Sequence, residues 1–120
     1  VSAIVTLLFG HWVADFLFQT EKMALGKSHS IKWLALHVLV YTVVLCVFCF
    51  FLLSWKVALL FAALNGLLHG LTDLLTSRLT ALYKDNRRIF FLIIGLDQFI
   101  HSATLLITLD YFLPGYSAVQ

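Results

Sequence analysis

Ten polar side chains punctuate stretches that are otherwise apolar: His11, Asp15 and Gln19; His37; Asn65, His69 and Asp73; and Asp97, Gln98 and His101. Residues at i and i+4 on a helix differ by about 40° and share a face. His11-Asp15-Gln19 therefore makes one polar stripe and Asn65-His69-Asp73 a second. Asp97-His101 makes a third, with the order reversed. Gln98 lies off that stripe, where it would steady a neighbour. If these stretches cross a membrane, each Asp near the centre costs roughly 2.5–3.5 kcal/mol on insertion scales. Three of them would consume about 7–10 kcal/mol, a large part of a domain's stability. Such an arrangement calls for compensation.

Imidazole and carboxylate without thiolate suit a divalent metal, zinc first, with manganese or iron as alternatives. The ligand set is His11, Asp15, His37, His69, Asp73, Asp97 and His101. With one Asp bridging, it is large enough for about four contacts to each of two ions. Two ions about 3.5–4 Å apart clamp a phosphoryl group and activate water. Gln19, Asn65 and Gln98 would orient the ligands from behind. Asp15, Asp73 and Asp97 are the candidates for catalytic proton transfer. Lys22, Lys27 and Arg78 lie where a phosphate would arrive, but they read equally well as cationic anchors beside a membrane. His29, between Ser28 and Ser30, reads as solvated.

The elements that must position this set are helices in lipid. Of 120 residues, 62% are hydrophobic and 12% charged, with a mean hydropathy of +0.98. A soluble domain carries about 25% charged residues. Four apolar segments stand out, at about 2–20, 31–54, 56–82 and 89–113. Each is near or above the ~20 residues that cross a bilayer. Strands are excluded by the lack of alternation and by the unpaired backbone an open sheet would leave in lipid. Short connections at 21–30, 54–56 and 83–88 force antiparallel neighbours. The expectation is an all-α integral membrane domain over residues 1–120: a four-helix transmembrane bundle, up-down-up-down. Pro114-Gly115 would end the last helix.

The net charge is only +2, yet seven of the eight basic residues (Lys22, Lys27, Lys32, Arg78, Lys84, Arg87 and Arg88) flank the first and third connections. Only Lys56 lies elsewhere. By the positive-inside rule those connections face the cytoplasm and both termini lie on the other side. Counting ~1.5 Å per residue from the cytoplasmic ends puts His37 and Asp15 roughly 9–10 Å deep and the other ligands roughly 14–21 Å deep. One site opening toward the cytoplasm is expected.

The partner is membrane lipid. A nucleic-acid partner would need a basic face on a soluble fold. Gly66 and Gly70 form a GxxxG pair, which serves either packing within the bundle or a homo-oligomer contact. Cys46 and Cys49 lack the strand or glycine-rich context of a redox pair and read as small apolar side chains. Residues 1–20 have no basic n-region, and His11 and Asp15 interrupt them, so they read as a first helix rather than a cleavable signal.

The string His11-Trp12-Val13-Ala14-Asp15-Phe16-Leu17-Phe18-Gln19, followed by Met23 and Lys27, resembles the opening of a family of small bacterial and phage membrane proteins of unknown function. His37 with Tyr41, His69 with Asp73, and Leu96-Asp97-Gln98 with His101 continue the pattern. Further off, the HxxxD repeats resemble YdjM-type inner-membrane proteins, described as metal-dependent hydrolases. Those are likened to the all-helical zinc phospholipase C group, whose ligands include HxxxD pairs. The resemblance implies His11, Asp15, His69 and Asp73 as ligands, phosphoester hydrolysis as the chemistry, and a multi-pass place in the bacterial inner membrane.

The leading expectation is a membrane-embedded metal-dependent hydrolase of a lipid or isoprenoid phosphate. The alternative is a proton or metal-ion transporter or channel subunit, since Asp and His chains relay protons. The apolar far halves of the second and fourth segments oppose it. Bis-histidine haem binding is opposed by the adjacent Asp residues. A non-catalytic structural subunit, with the polar cluster fixing helix register, is the plainest reading.

Overall fold

Helices begin where a short polar side chain can take a free amide of the first turn. Ser2 Oγ accepts from Ile4 N, Thr20 Oγ1 from Met23 N, Ser30 Oγ from Trp33 N and Asn86 Oδ1 from Ile89 N. Ser54 starts a further helix without such a bond. The resulting elements are α1 (Ala3–Trp12), a π-helical turn (Val13–Leu17), α2 (Glu21–Gly26), α3 (Ile31–Phe50), α4 (Trp55–Leu82) and α5 (Arg87–Phe112). This computed structural model describes residues 2–114, which contain helices and no strand. Val1 and residues 115–120 lie outside them, and with them the Gly115 half of the expected Pro-Gly stop.

Three helices, α3, α4 and α5, are long and apolar enough to cross a membrane. The first apolar segment is shorter than the expected 2–20: its helix spans Ala3–Leu17 and falls below spanning length. The connection at 21–30 contains a helix, α2, because Thr20 caps it. The second segment stops at Phe50 rather than 54, where Leu53 N turns back to Cys49 O.

Each helix has one buried face, and its chemistry changes along its length. On α3 the buried residues are Leu34, His37, Tyr41, Leu45 and Cys49, three or four apart. On α4 they run from Ala58 through Phe61, Asn65 and His69 to Asp73 and Thr76. On α5 they are His101, Leu105, Thr108 and Leu109. The apolar members meet Leu7 and Ala14 in one core, with Phe61 and Leu45 fully buried. The polar members gather toward the end of the molecule that carries α2 and the Tyr83–Asn86 turn. α3 packs along α4 and α4 along α5, while α1 and the π turn lean on α3 and α2 caps it.

Gly66 and Gly70 belong to the α3–α4 seam. A Cβ at Gly66 would lie 3.1 Å from Thr42 Cβ, and one at Gly70 3.0 Å from Val38 Cγ2. This small-residue pair lets two backbones approach closely inside the chain. That face is covered by α3.

Candidate metal centre

Asp15 sits in the π turn, and the turn aims it. Phe18 N donates to Val13 O, five residues back, which widens the helix at this point. Such π segments occur often at functional sites. His37 comes from the N-terminal half of α3's buried face, and His69 and Asp73 from successive turns of α4. Asp97 and His101 come from α5. All seven expected ligands fall into three overlapping groups whose ligand atoms lie within 4.8 Å of one another: Asp15-His37-His69-Asp73, His11-Asp15-His101 and Asp73-Asp97-His101.

The first group is the tightest. His37 Nε2 lies 3.0 Å from Asp15 Oδ1, 3.0 Å from His69 Nε2 and 3.2 Å from Asp73 Oδ2. His69 Nε2 lies 3.4 Å from each of the same two oxygens. Zinc bonds to nitrogen and oxygen are about 2.0–2.1 Å, which in a tetrahedron sets ligand-to-ligand edges of about 3.3–3.4 Å. Five edges of the quartet thus fall at or just inside the tetrahedral value. Two nitrogens and two carboxylate oxygens face one point at 0–2% residue exposure, where protons on the imidazoles or a divalent cation would hold them together. Neither Nδ1 of His37 or His69 has a hydrogen-bond partner among the described residues. Packing holds the rings instead. Tyr41 lies flat against His69, and the His101 ring tilts against it with a centroid 4.1 Å away.

A hydrogen-bonded chain runs beside the quartet. Tyr41 OH is 3.0 Å from His11 Nδ1, and His11 Nε2 is 3.0 Å from Gln98 Oε1. Gln98 Nε2 donates to Asp15 Oδ2 at 3.1 Å and to Asp97 Oδ2 at 3.0 Å. Every donor finds an acceptor if Tyr41 donates to Nδ1 and His11 carries its proton on Nε2. His11 Nε2 stands 3.8 Å from Asp15 Oδ2, farther than from Gln98. In this arrangement both His11 nitrogens are engaged, and His11 orients Asp15 through Gln98. Thr76 Oγ1 lies 2.6 Å from Asp97 Oδ1.

A cleft of about 540 Å³ reaches the carboxylates of Asp15, Asp73 and Asp97 from the basic end. Gln19 and Gln98 line it, as do Lys27 and Lys84. Gln19 lies beyond the end of the π turn, so the helical stripe expected for it is interrupted although its side chain still borders the cleft. Lys27 Nζ is 2.8 Å from Asp73 Oδ2. Lys22 and Arg78 are exposed and are not part of the cleft wall. Asn65 lies deeper and donates to Thr108 Oγ1 at 2.8 Å and to Phe61 O at 3.0 Å rather than to a ligand. His29 is exposed.

Three contributors were not anticipated from sequence as parts of the site's geometry. Tyr41 stands four residues after His37 and Thr76 three after Asp73, so the stripe arithmetic reaches both. Lys84 carries no signal that separates it from the other basic residues beside a membrane.

No curated protein and no solved structure matches the chain. The family model described as "Protein of unknown function (DUF3307)" matches residues 3–120. That span includes every ligand candidate and all five helices, and the chain belongs to the DUF3307 family.

Proposed function

We propose that this protein is a membrane-embedded, metal-dependent hydrolase of a phosphoester, acting on a lipid or isoprenoid phosphate. The observation that carries the reading is the Asp15-His37-His69-Asp73 quartet, whose two carboxylates border a cleft that Lys27 and Lys84 also line. Its two nitrogens and two oxygens at near-tetrahedral spacing favour zinc over manganese or iron. Bound there, the ion supplies Lewis acidity and a water nucleophile at neutral pH.

The chain's own residues supply the rest. Lys27 and Lys84 meet the charge of the phosphate. Asp97 is held by Thr76 and Gln98 at the cleft wall, beside the quartet. Phe16, Leu25, Phe90 and Ile94 give the cleft an apolar side, suited to the chain of an amphiphile. In this reading α1 with the π turn is a short fourth span of an up-down bundle. The basic connections lie at the cytoplasmic face of a bacterial inner membrane, with both termini opposite.

Transport is opposed by the packing beyond the ligands. Leu7, Leu45, Phe61, Leu105 and Leu109 are at most 1% exposed, and they form a dry plug across the far half of the molecule.

The test is elemental analysis of purified protein together with phosphate release from a lipid phosphate in mixed micelles. Bound zinc and hydrolysis, both lost in Asp73→Asn, are the expected result. A protein that neither retains nor takes up metal sinks the reading. Ion flux in liposomes that Asp73→Asn abolishes, without any phosphate release, would move the assignment to transport. A His69/Asp73 double substitution that leaves cellular function intact would point to a structural subunit.

A further inference from the structure

We infer that the centre holds a second divalent ion, bound by Asp73, Asp97 and His101 and more weakly than the ion of the quartet. The inference rests on the quartet being a metal site. Its evidence lies in different atoms.

Asp73 presents its two oxygens to opposite sides. Oδ2 belongs to the quartet, 3.2 Å from His37 Nε2 and 3.4 Å from His69 Nε2. Oδ1 lies 3.6 Å from His101 Nε2. A carboxylate divided in this way is how two-metal hydrolases hold ions about 3.5–4 Å apart. His101 is 1% exposed, and neither ring nitrogen has a hydrogen-bond partner among the described residues. A buried imidazole with both nitrogens unused is costly. Its Nδ1 faces Asp97 Oδ2 at 3.5 Å. Asp97 in turn is fixed by Thr76 on one oxygen and Gln98 on the other, the kind of outer hydrogen bonding that steadies metal ligands.

One competing group shares His101, namely His11 and Asp15. There both His11 nitrogens are within 3.0 Å of other partners, Tyr41 and Gln98. His101 is therefore more available to Asp73 and Asp97.

The two sites differ in character. The second has three protein ligands, one atom from each, within 4.8 Å of one another, where the quartet has spacings of 3.0–3.4 Å. Asp73 and Asp97 both border the cleft, so its remaining positions face water or substrate, as in a catalytic site. Two carboxylates to one imidazole lean toward manganese or magnesium. Charge sets the order of filling. Asp15, Asp73 and Asp97 against Lys27 leave two negative charges, which one divalent ion neutralises. A second ion leaves the pocket two positive, and a phosphate monoester carries about that charge with opposite sign. The second ion should bind last and hold best with phosphate present.

The experiment titrates chelator-stripped, detergent-purified full chain with zinc and then Mn²⁺, in the presence of inorganic phosphate. Metal per chain is read by elemental analysis and Mn²⁺ by electron paramagnetic resonance. Wild type is expected to bind two ions, and Asp97→Asn and His101→Gln one zinc and no tightly held Mn²⁺. The two variants guard against either one failing to fold, and retained zinc reports an intact quartet. Wild type that stops at one ion overturns the inference and leaves the quartet reading standing. Variants that still hold two ions overturn the ligand assignment. A wild type that binds none overturns both.

Discussion

The phenol ring of Tyr41 lies on the imidazole of His69 with centroids 3.8 Å apart and planes 6° from parallel. The same residue's hydroxyl reaches His11 Nδ1 at 3.0 Å. One side chain of α3 thus fixes a candidate ligand on α4 by its face and a histidine on α1 by its tip. Tyr41→Phe keeps the stack and strips the hydroxyl from a buried nitrogen, at a cost of about 1–3 kcal/mol. Tyr41→Ala removes both and opens a cavity, at about 3–5 kcal/mol. Unfolding in detergent should rank wild type, Phe and Ala in that order, with the Phe variant keeping its quartet ion. An unchanged stability in Tyr41→Phe would deny the hydroxyl any part in holding His11.

Metal removal should destabilise the fold, because an ion that binds only the native chain stabilises it by mass action. The gain is about 4 kcal/mol at a thousandfold excess over Kd. A chelator should lower the melting temperature and zinc should restore it. Ligands must shed protons to bind metal, so binding strengthens as pH rises and fails as pH falls. The difference in melting temperature between zinc-loaded and chelated protein should shrink on acidification. A chelator-insensitive melting temperature at neutral pH would count against a resident ion.

Lys27 and Lys84 should part company in kinetics. Lys84 borders the cleft, so Lys84→Gln should raise KM several-fold with little change in kcat, as loss of uniform binding does. Lys27 also touches Asp73 Oδ2, with its side chain 15% exposed. Lys27→Gln should lower kcat/KM about tenfold or more, roughly 1.4 kcal/mol, while zinc stays bound. Steady-state rates on a lipid phosphate, paired with metal content, separate the two. Loss of zinc in Lys27→Gln would show instead that the ammonium serves to place Asp73.

Two glycines give opposite forecasts. At Gly66 a new Cβ runs into the Thr42 side chain, whose hydroxyl already donates to Val38 O at 2.7 Å. Gly66→Ala should cost about 1–3 kcal/mol by overpacking the α3–α4 seam. Gly95 has nothing within 4 Å of a built Cβ. Gly95→Ala should be neutral or stabilise by up to about 1 kcal/mol through helix propensity. Thermal unfolding of both variants checks the pair. Equal effects would mean that the seam is not as close as described.

The candidate site was legible where its logic is local. The i,i+4 spacing of His69 with Asp73 and of Asp97 with His101 depends only on helix geometry, and the long helices α4 and α5 end within two residues of the expected bounds. What escaped reading depends on contacts between distant segments or on backbone choices without a composition signal. Val13–Leu17 is apolar around Asp15 and gives no hint of a π turn. Asn65 looked like a companion of His69, yet its amide goes to Thr108, 43 residues away. Lys27 reads together with Lys22 and Arg78 as a phosphate-binding or anchoring residue, and only the fold sets it apart by bringing it to Asp73. The Thr20 cap of α2 was readable, since Thr before Glu21 is a helix-start signal, but the segment's position between two apolar runs masked it.

The short first helix bears on the bilayer itself. Ala3–Leu17, ten α-helical and five π-helical residues, spans about 22 Å at ~1.5 Å per residue. The hydrocarbon layer is about 30 Å thick. If α1 and the π turn cross the bilayer as proposed, a shortfall of about 8 Å would be met by local thinning, tilt or snorkelling, each at fractions of a kcal/mol per Å. Non-helical backbone such as Phe18–Thr20 is tolerated at that depth only against protein or a watery recess. In the proposed four-span arrangement the deficit would fall beside Gln19 and the cleft, and the membrane would dimple where the carboxylates lie. Water and headgroups would there sink toward the ligands, and a lipid would travel less far out of its leaflet to reach them.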